Sequence, residues 1–147
     1  MKKSQTIFYL DDDSEDLEFF KEIAEGLGHS VRGFSDGKAM LLVLESEQNK
    51  PDIIFLDVHM PVLNGQEILE IIKKSETLKD IPIVMVSGAY PKKLVKNLQD
   101  LGVNYLMKKH HIHDYRESVE ELLNDHVLKS NNNSDSQSDG QSLTIFH

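Results

Sequence analysis

Ile53-Ile54-Phe55-Leu56-Asp57 is the stretch that decides the fold. Four apolar residues in a row, mostly β-branched or aromatic, read as a strand buried on both faces. Strands of that kind belong to parallel sheets covered by helices on each side. The charged residue directly after them reads as the strand's exit onto an edge of the sheet. Working outward, similar short runs occur at 6–10, 30–34, 81–86 and 103–107. Between them the apolar residues switch to helical spacing. Leu17, Phe20, Ile23, Ala24 and Leu27 form the first stripe; Met40, Leu41 and Leu44 the second; Ile68, Leu69, Ile71 and Ile72 the third. Leu94, Val95, Leu98 and Leu101 form the fourth, and Tyr115, Val119, Leu122, Leu123 and Val127 the fifth. Asp13 or Ser14 suits the start of the first helix, Asn64-Gly65 opens the third, and Pro91 and Gly102 bracket the fourth. Five βα units joined by helical crossovers predict an α/β fold, a doubly wound parallel sheet of five strands.

In such a sheet, ligands bind beyond the carboxyl ends of the strands. Asp11, Asp12 and Asp13 follow the first strand, Asp57 ends the third, Ser87 the fourth, and Lys108 and Lys109 the fifth. One aspartate would be explained as a helix cap. Three in a row repel one another and raise each other's pKa values unless a cation neutralises them. Oxygen donors without Cys suit Mg²⁺, Mn²⁺ or Ca²⁺ rather than zinc. Asp57 is then a candidate carboxylate nucleophile, because carboxylates form acyl phosphates and a metal with a nearby ammonium stabilises the transferring group. Lys108 or Lys109 is the candidate ammonium, and Ser87 a hydrogen-bond donor to phosphoryl oxygens. Gly88 and Ala89 beside it leave room for a phosphate. His110, His111 and His113 read as a His-rich loop and helix start, with a transition-metal site as the alternative.

The 147 residues suit one domain. With no cysteine, disulfides, thiolate zinc sites and thiol chemistry are excluded. A net charge of −9 opposes nucleic-acid binding, which needs clustered Lys and Arg. No run reaches the ~18 apolar residues of a membrane span, and the first residues lack the features of a secretion signal, so a cytoplasmic location without membrane insertion is the expectation. Residues 130–142 carry no apolar side chain and are expected to be disordered. The organisation expected is therefore a domain at 1–129 and an Asn/Ser-rich disordered tail at 130–147, whose apolar end, Leu143-Thr144-Ile145-Phe146, is read as frayed.

Leu10-Asp11-Asp12-Asp13, Phe55-Leu56-Asp57-Val58-His59-Met60-Pro61, Asn64-Gly65, Val86-Ser87-Gly88 and Tyr105-Leu106-Met107-Lys108 stand in order and at characteristic spacing. Over residues 5–128 the chain resembles the receiver domain of two-component response regulators, of the small chemotaxis-regulator type. The resemblance implies a flavodoxin-like strand order 2-1-3-4-5 and a phosphoacceptor at Asp57. It implies that Asp12, Asp57 and the His59 backbone carbonyl contact Mg²⁺ directly, or Mn²⁺ in its place, with Asp11 acting through water. Ser87 would follow the phosphoryl group, Tyr105 would be the switching aromatic, and Lys108, three residues after it, the site lysine. Asp13 would face the helix start instead. The implied partners are a histidine kinase or phosphotransfer protein and an unknown output protein. The module would be a stand-alone signalling domain rather than a metabolic enzyme, with self-phosphorylation and autodephosphorylation chemistry of its own. Two departures stand out. Lys109 replaces the proline that usually follows the site lysine, where a cis bond is common, and the segment between Gly102 and Tyr105 is one residue short. Lys109 is therefore the fallback for Lys108. An Asp-nucleophile phosphohydrolase and a pseudo-receiver that only binds partners are the alternative readings.

Overall fold

The computed structural model describes residues 4–109, 115–131 and 143–147. His110, His111 and His113 lie outside them, as does most of the expected tail. Strands β1 (Thr6–Leu10), β2 (Ser30–Phe34), β3 (Ile53–Asp57), β4 (Ile83–Ser87) and β5 (Tyr105–Lys108) alternate with helices α1 (Ser14–Gly26), α2 (Gly37–Ser46), α3 (Gly65–Lys73), α4 (Lys92–Asp100) and α5 (Tyr115–Asn131). All strands are parallel, in the order β2-β1-β3-β4-β5, as expected. A sixth short strand, β6 (Ile145–Phe146), pairs with the outer edge of β5. The apolar end read as frayed is thus an edge strand, and α5 runs past residue 129 to Asn131. The fourth strand begins at Ile83 rather than 81 because Pro82 has no N–H to give the ladder, although its carbonyl accepts from Ile54.

Strand alternation divides the core into two layers. Ile7, Tyr9, Ile53, Phe55, Val84, Val86, Tyr105 and Met107 pack under α1 and α5. Phe8, Leu10, Ile54, Leu56, Ile83, Met85 and Leu106 pack under α2, α3 and α4. β3 and β4 are buried along their whole length, which is why their sequences show no polar alternation.

The helix starts are set by capping. The Asp13 carboxylate accepts from the Glu15 and Asp16 amides at 2.9 and 3.2 Å, so Asp13 serves the helix, as expected. Asn64 and Glu67 form a reciprocal capping box at α3. Gly65 allows α3 to start against β3: a Cβ there would collide with the Asp57 carbonyl and lie 2.9 Å from the Met85 methyl. Helix position and strand end are thereby locked together next to Asp57.

Candidate functional site

The strand order puts β1 and β3 side by side at the centre of the sheet, where the chain's winding direction reverses and a crevice opens beyond the carboxyl ends. Asp11 and Asp57 flank that crevice. Asp11 is fully buried; its Oδ1 accepts from the Asp13 amide at 3.0 Å and its Oδ2 faces the Tyr9 hydroxyl at 3.4 Å. Asp57 is also buried, and its Oδ1 accepts from the His59 amide at 3.0 Å. Asp12 is exposed at the mouth.

The ammonium in the crevice belongs to Lys109, not Lys108. Its Nζ lies 2.7 Å from Asp11 Oδ2, 2.9 Å from Asp16 Oδ2 and 3.1 Å from Asp57 Oδ2. The reason is the two-residue period of a strand. Tyr105 and Met107 point to the α1/α5 face, so the next residue in phase is Lys109. Asp11 continues the Ile7–Tyr9 phase and Asp57 the Ile53–Phe55 phase, both on that same face. Lys108 follows Leu106 to the opposite face and forms no ion pair with any described carboxylate. The expectation for Lys108 counted three residues from Tyr105. The short segment after Gly102 shifts the strand by one, and the fallback residue takes the place. The Lys108–Lys109 peptide is trans.

Asp16 was not singled out as a site residue. It stands four residues before Phe20, at the top of the buried stripe of α1, and that spacing aims it at the sheet edge.

Burial pushes the Asp11 carboxyl up to about 6, with the Asp57 charge adding to the rise and Lys109 and the Asp13 amide opposing it. For Lys109, burial favours the neutral amine, but hydrogen bonds to Asp11 and Asp16 and the charges of Asp57 and Asp11 outweigh it. The ammonium is therefore held above its usual value. The three short contacts hold Lys109 firmly charged, while burial makes Asp11 take up a proton more readily than an ordinary carboxylate.

Each of Asp11, Asp12 and Asp57 offers a carboxylate oxygen, and these oxygens lie within 4.8 Å of one another. Oxygens across an octahedral Mg²⁺ are about 4.2 Å apart, twice a 2.0–2.1 Å bond. Small side-chain rotations close that difference, and an all-oxygen set beside an open mouth suits a cation that keeps several waters. The residues present fit the metal.

Ser87 sits on the other side of the sheet edge, in phase with Ile83 and Met85. Its hydroxyl donates to the Ala89 carbonyl at 2.9 Å, and its backbone carbonyl accepts from the Lys109 amide at 2.9 Å. Tyr105 is buried on the opposite face, against His126 and Phe146. The expectation that Tyr105 is the aromatic that switches with Ser87 does not fit this arrangement, because the sheet lies between them. The aromatic on the Ser87 side is Tyr90, whose hydroxyl donates toward the Met85 and Met107 carbonyls at 2.9 and 2.8 Å.

Residues 7–130 match the family model for the response regulator receiver domain. The chain is 24% identical over 135 residues to the two-component response regulator ARR10 of Arabidopsis thaliana, covering 91% of this chain and 24% of that one. It therefore spans about a quarter of that relative's length. It is 23% identical to the polar-differentiation response regulator DivK of Brucella ovis, over 83% of this chain and 98% of the other. In structure it is similar to the receiver domain of sensor histidine kinase PA1611 from Pseudomonas aeruginosa PAO1, solved with a magnesium ion coordinated in the active site cleft. The TM-score there is 0.72 at 21% identity, covering 85% of this chain and 98% of that one.

Proposed function

The chain belongs to the response regulator receiver family, a family of two-component signalling domains, and we propose that it accepts a phosphoryl group on Asp57 from a histidine kinase or phosphotransfer protein. The observation that carries this reading is the buried Asp57 carboxylate, fixed at the central strand end between Asp11 and the Lys109 ammonium. One carboxylate oxygen of Asp57 would attack phosphorus as the bond from phosphorus to the donor's nitrogen breaks, leaving an acyl phosphate on Asp57 and the donor's histidine free. Asp11, Asp12, Asp57 and the His59 carbonyl would hold Mg²⁺, which would offset charge on the phosphoryl oxygens. Mn²⁺ would serve in the same place.

Lys109 supplies the fixed positive charge of the chain itself. With three carboxylates around one ammonium, the site has negative charge to spare, so a dianionic group needs the added cation before it can enter. Ser87, across the sheet edge, would turn its hydroxyl from Ala89 to a phosphoryl oxygen. That movement would be felt by Ala89 and Tyr90 at the head of α4. An output protein reading that surface would sense occupancy of Asp57.

The test is intact-protein mass after incubation with a small acyl phosphate or phosphoramidate and Mg²⁺. One phosphoryl group should be added, EDTA should prevent it, and Asp57→Asn should abolish it. Labelling of the Asp57→Asn protein to the wild-type level would defeat the assignment.

A further inference from the structure

The two edges of the sheet are protected differently. β2, at one edge, is largely exposed and carries Arg32. Such charge discourages pairing with another strand. β5, towards the other edge, has Tyr105, Leu106 and Met107 all buried and no charge before Lys108. An apolar edge of this kind is a template for an added strand, and here β6 covers it: Ile145 pairs with Leu106 and Phe146 with Met107. The pairing has true strand character. Ile145 packs with the layer under α2–α4, while Phe146 packs with the layer under α1 and α5, its ring 6.2 Å from that of Tyr105.

The cover is slight. β6 pairs two of the four residues of β5, and both its side chains are only partly buried. In sequence it is an apolar island beyond 13 residues, 130–142, that hold no apolar side chain. A short strand held by few ladder bonds is readily exchanged for a longer one.

We propose that the outer edge of β5 is a docking site for an extended aliphatic–aromatic strand of a partner protein, and that residues 143–146 occupy it in cis as a built-in competitor. The partner strand adds parallel to β5, placing an aliphatic residue beside Leu106 and an aromatic one beside Tyr105. This does not depend on phosphorylation of Asp57.

The experiment uses the whole chain, wild type and Ile145→Asp/Phe146→Asp, with the peptide Ser-Leu-Thr-Ile-Phe-His as probe and amide NMR as readout. In the variant, β5 amides should exchange about tenfold faster or more, as loss of one or two ladder bonds implies. The peptide should bind the variant, shift Tyr105, Leu106, Met107 and Val119, and restore protection. It should bind wild type at least about tenfold more weakly, because the cis segment competes. Unchanged exchange in the variant, or equal peptide binding to both proteins, overturns the proposal. So does a wild-type dimer that the substitutions dissolve, since the segment would then dock on a second copy. Chain termination after Ser142 repeats the test should the double variant misfold.

Discussion

Replacing Lys109 by methionine keeps most of the side chain's length and removes its charge. In the metal-free protein that ammonium serves three carboxylates at 2.7, 2.9 and 3.1 Å and is 13% exposed. Removing one partner of a buried ion pair costs about 3–5 kcal/mol, since the remaining charges stay buried without compensation. Asp12 opens the cluster to solvent and Asp16 is 17% exposed, so the lower end, about 3 kcal/mol, applies. That is a large part of the ~5–15 kcal/mol that holds a domain of this size together. Mg²⁺ should return much of it. A divalent ion some 5 Å from the vacated ammonium escapes a repulsion of about 1.7 kcal/mol even at the dielectric constant of water, so it should bind roughly tenfold more tightly. At a hundredfold excess over its Kd, a ligand adds about 2.7 kcal/mol to stability.

The assay is urea denaturation followed by circular dichroism, in EDTA and in Mg²⁺, with Lys108→Met measured alongside. Lys108 has no carboxylate partner among the described residues and should change stability by no more than about 0.5 kcal/mol. Lys109→Met should be markedly less stable in EDTA and gain more than wild type from Mg²⁺. Equal losses in the two variants, or a greater loss for Lys108→Met, would refute the strand-phase argument that puts Lys109 in the crevice.

Asp11→Asn should stabilise the metal-free protein at pH 7.5 and do little near pH 4. The folded Asp11 pKa, about 6, lies above the ordinary 3.8, so the cost of its charge is present above pH 6 and fades as pH falls towards 4; thermal melts in EDTA across that range would show it. Tyr105 is pushed up to about 12 by burial and by the charge of Asp125. Its unfolded phenol ionises first, so stability should be intact below pH 10 and fall by about 1.4 kcal/mol per pH unit from 10 towards 12; Tyr105→Phe should flatten that slope and remove a late-ionising phenol from the ultraviolet titration. Val62 is 89% exposed at φ 67, at the centre of a γ-turn closed by the Leu63 amide on the Pro61 carbonyl. A β-branched residue there costs about 1–2 kcal/mol, and glycine gives back roughly half of that in unfolded-chain entropy, so Val62→Gly should raise the urea midpoint; a lowered midpoint would show that the turn carries no strain.

The fold was readable because its two periods are distinct. Buried parallel strands show as apolar runs, the helices as stripes, and the caps at Asp13 and Asn64 stand where the pattern changes. β6 was not readable. Two residues pairing at an edge leave no periodicity, and a strand of that kind exists only because β5 offers an open apolar side. In the site, Asp11 and Asp57 were legible because each directly follows or ends a buried strand. Lys109 was obscured because its neighbour has the same chemistry. Counting from an aromatic gives the wrong lysine, whereas counting strand phase from Met107 gives the right one. Asp16 was hidden by its other plausible use, as an acid in the first turn of a helix.

Strand phase also bears on how the site could signal. Asp11, Asp57 and Lys109 all continue the phase that faces α1 and α5, whereas Ser87 continues the phase that faces α2, α3 and α4. A group on Asp57 would be charge-balanced from one side of the sheet and met by a hydroxyl from the other. Lys109 and Ser87 are nonetheless joined, because the Lys109 amide donates to the Ser87 carbonyl at 2.9 Å. A shift of the β5 end towards new charge would therefore pull on the β4 end, and beyond it on Tyr90, whose hydroxyl spans the carbonyls of both strands. On this geometry the strand ends would carry a change at Asp57 across the sheet through backbone hydrogen bonds. Tyr105, shielded beneath α5, would respond only to changes in what covers the β5 edge.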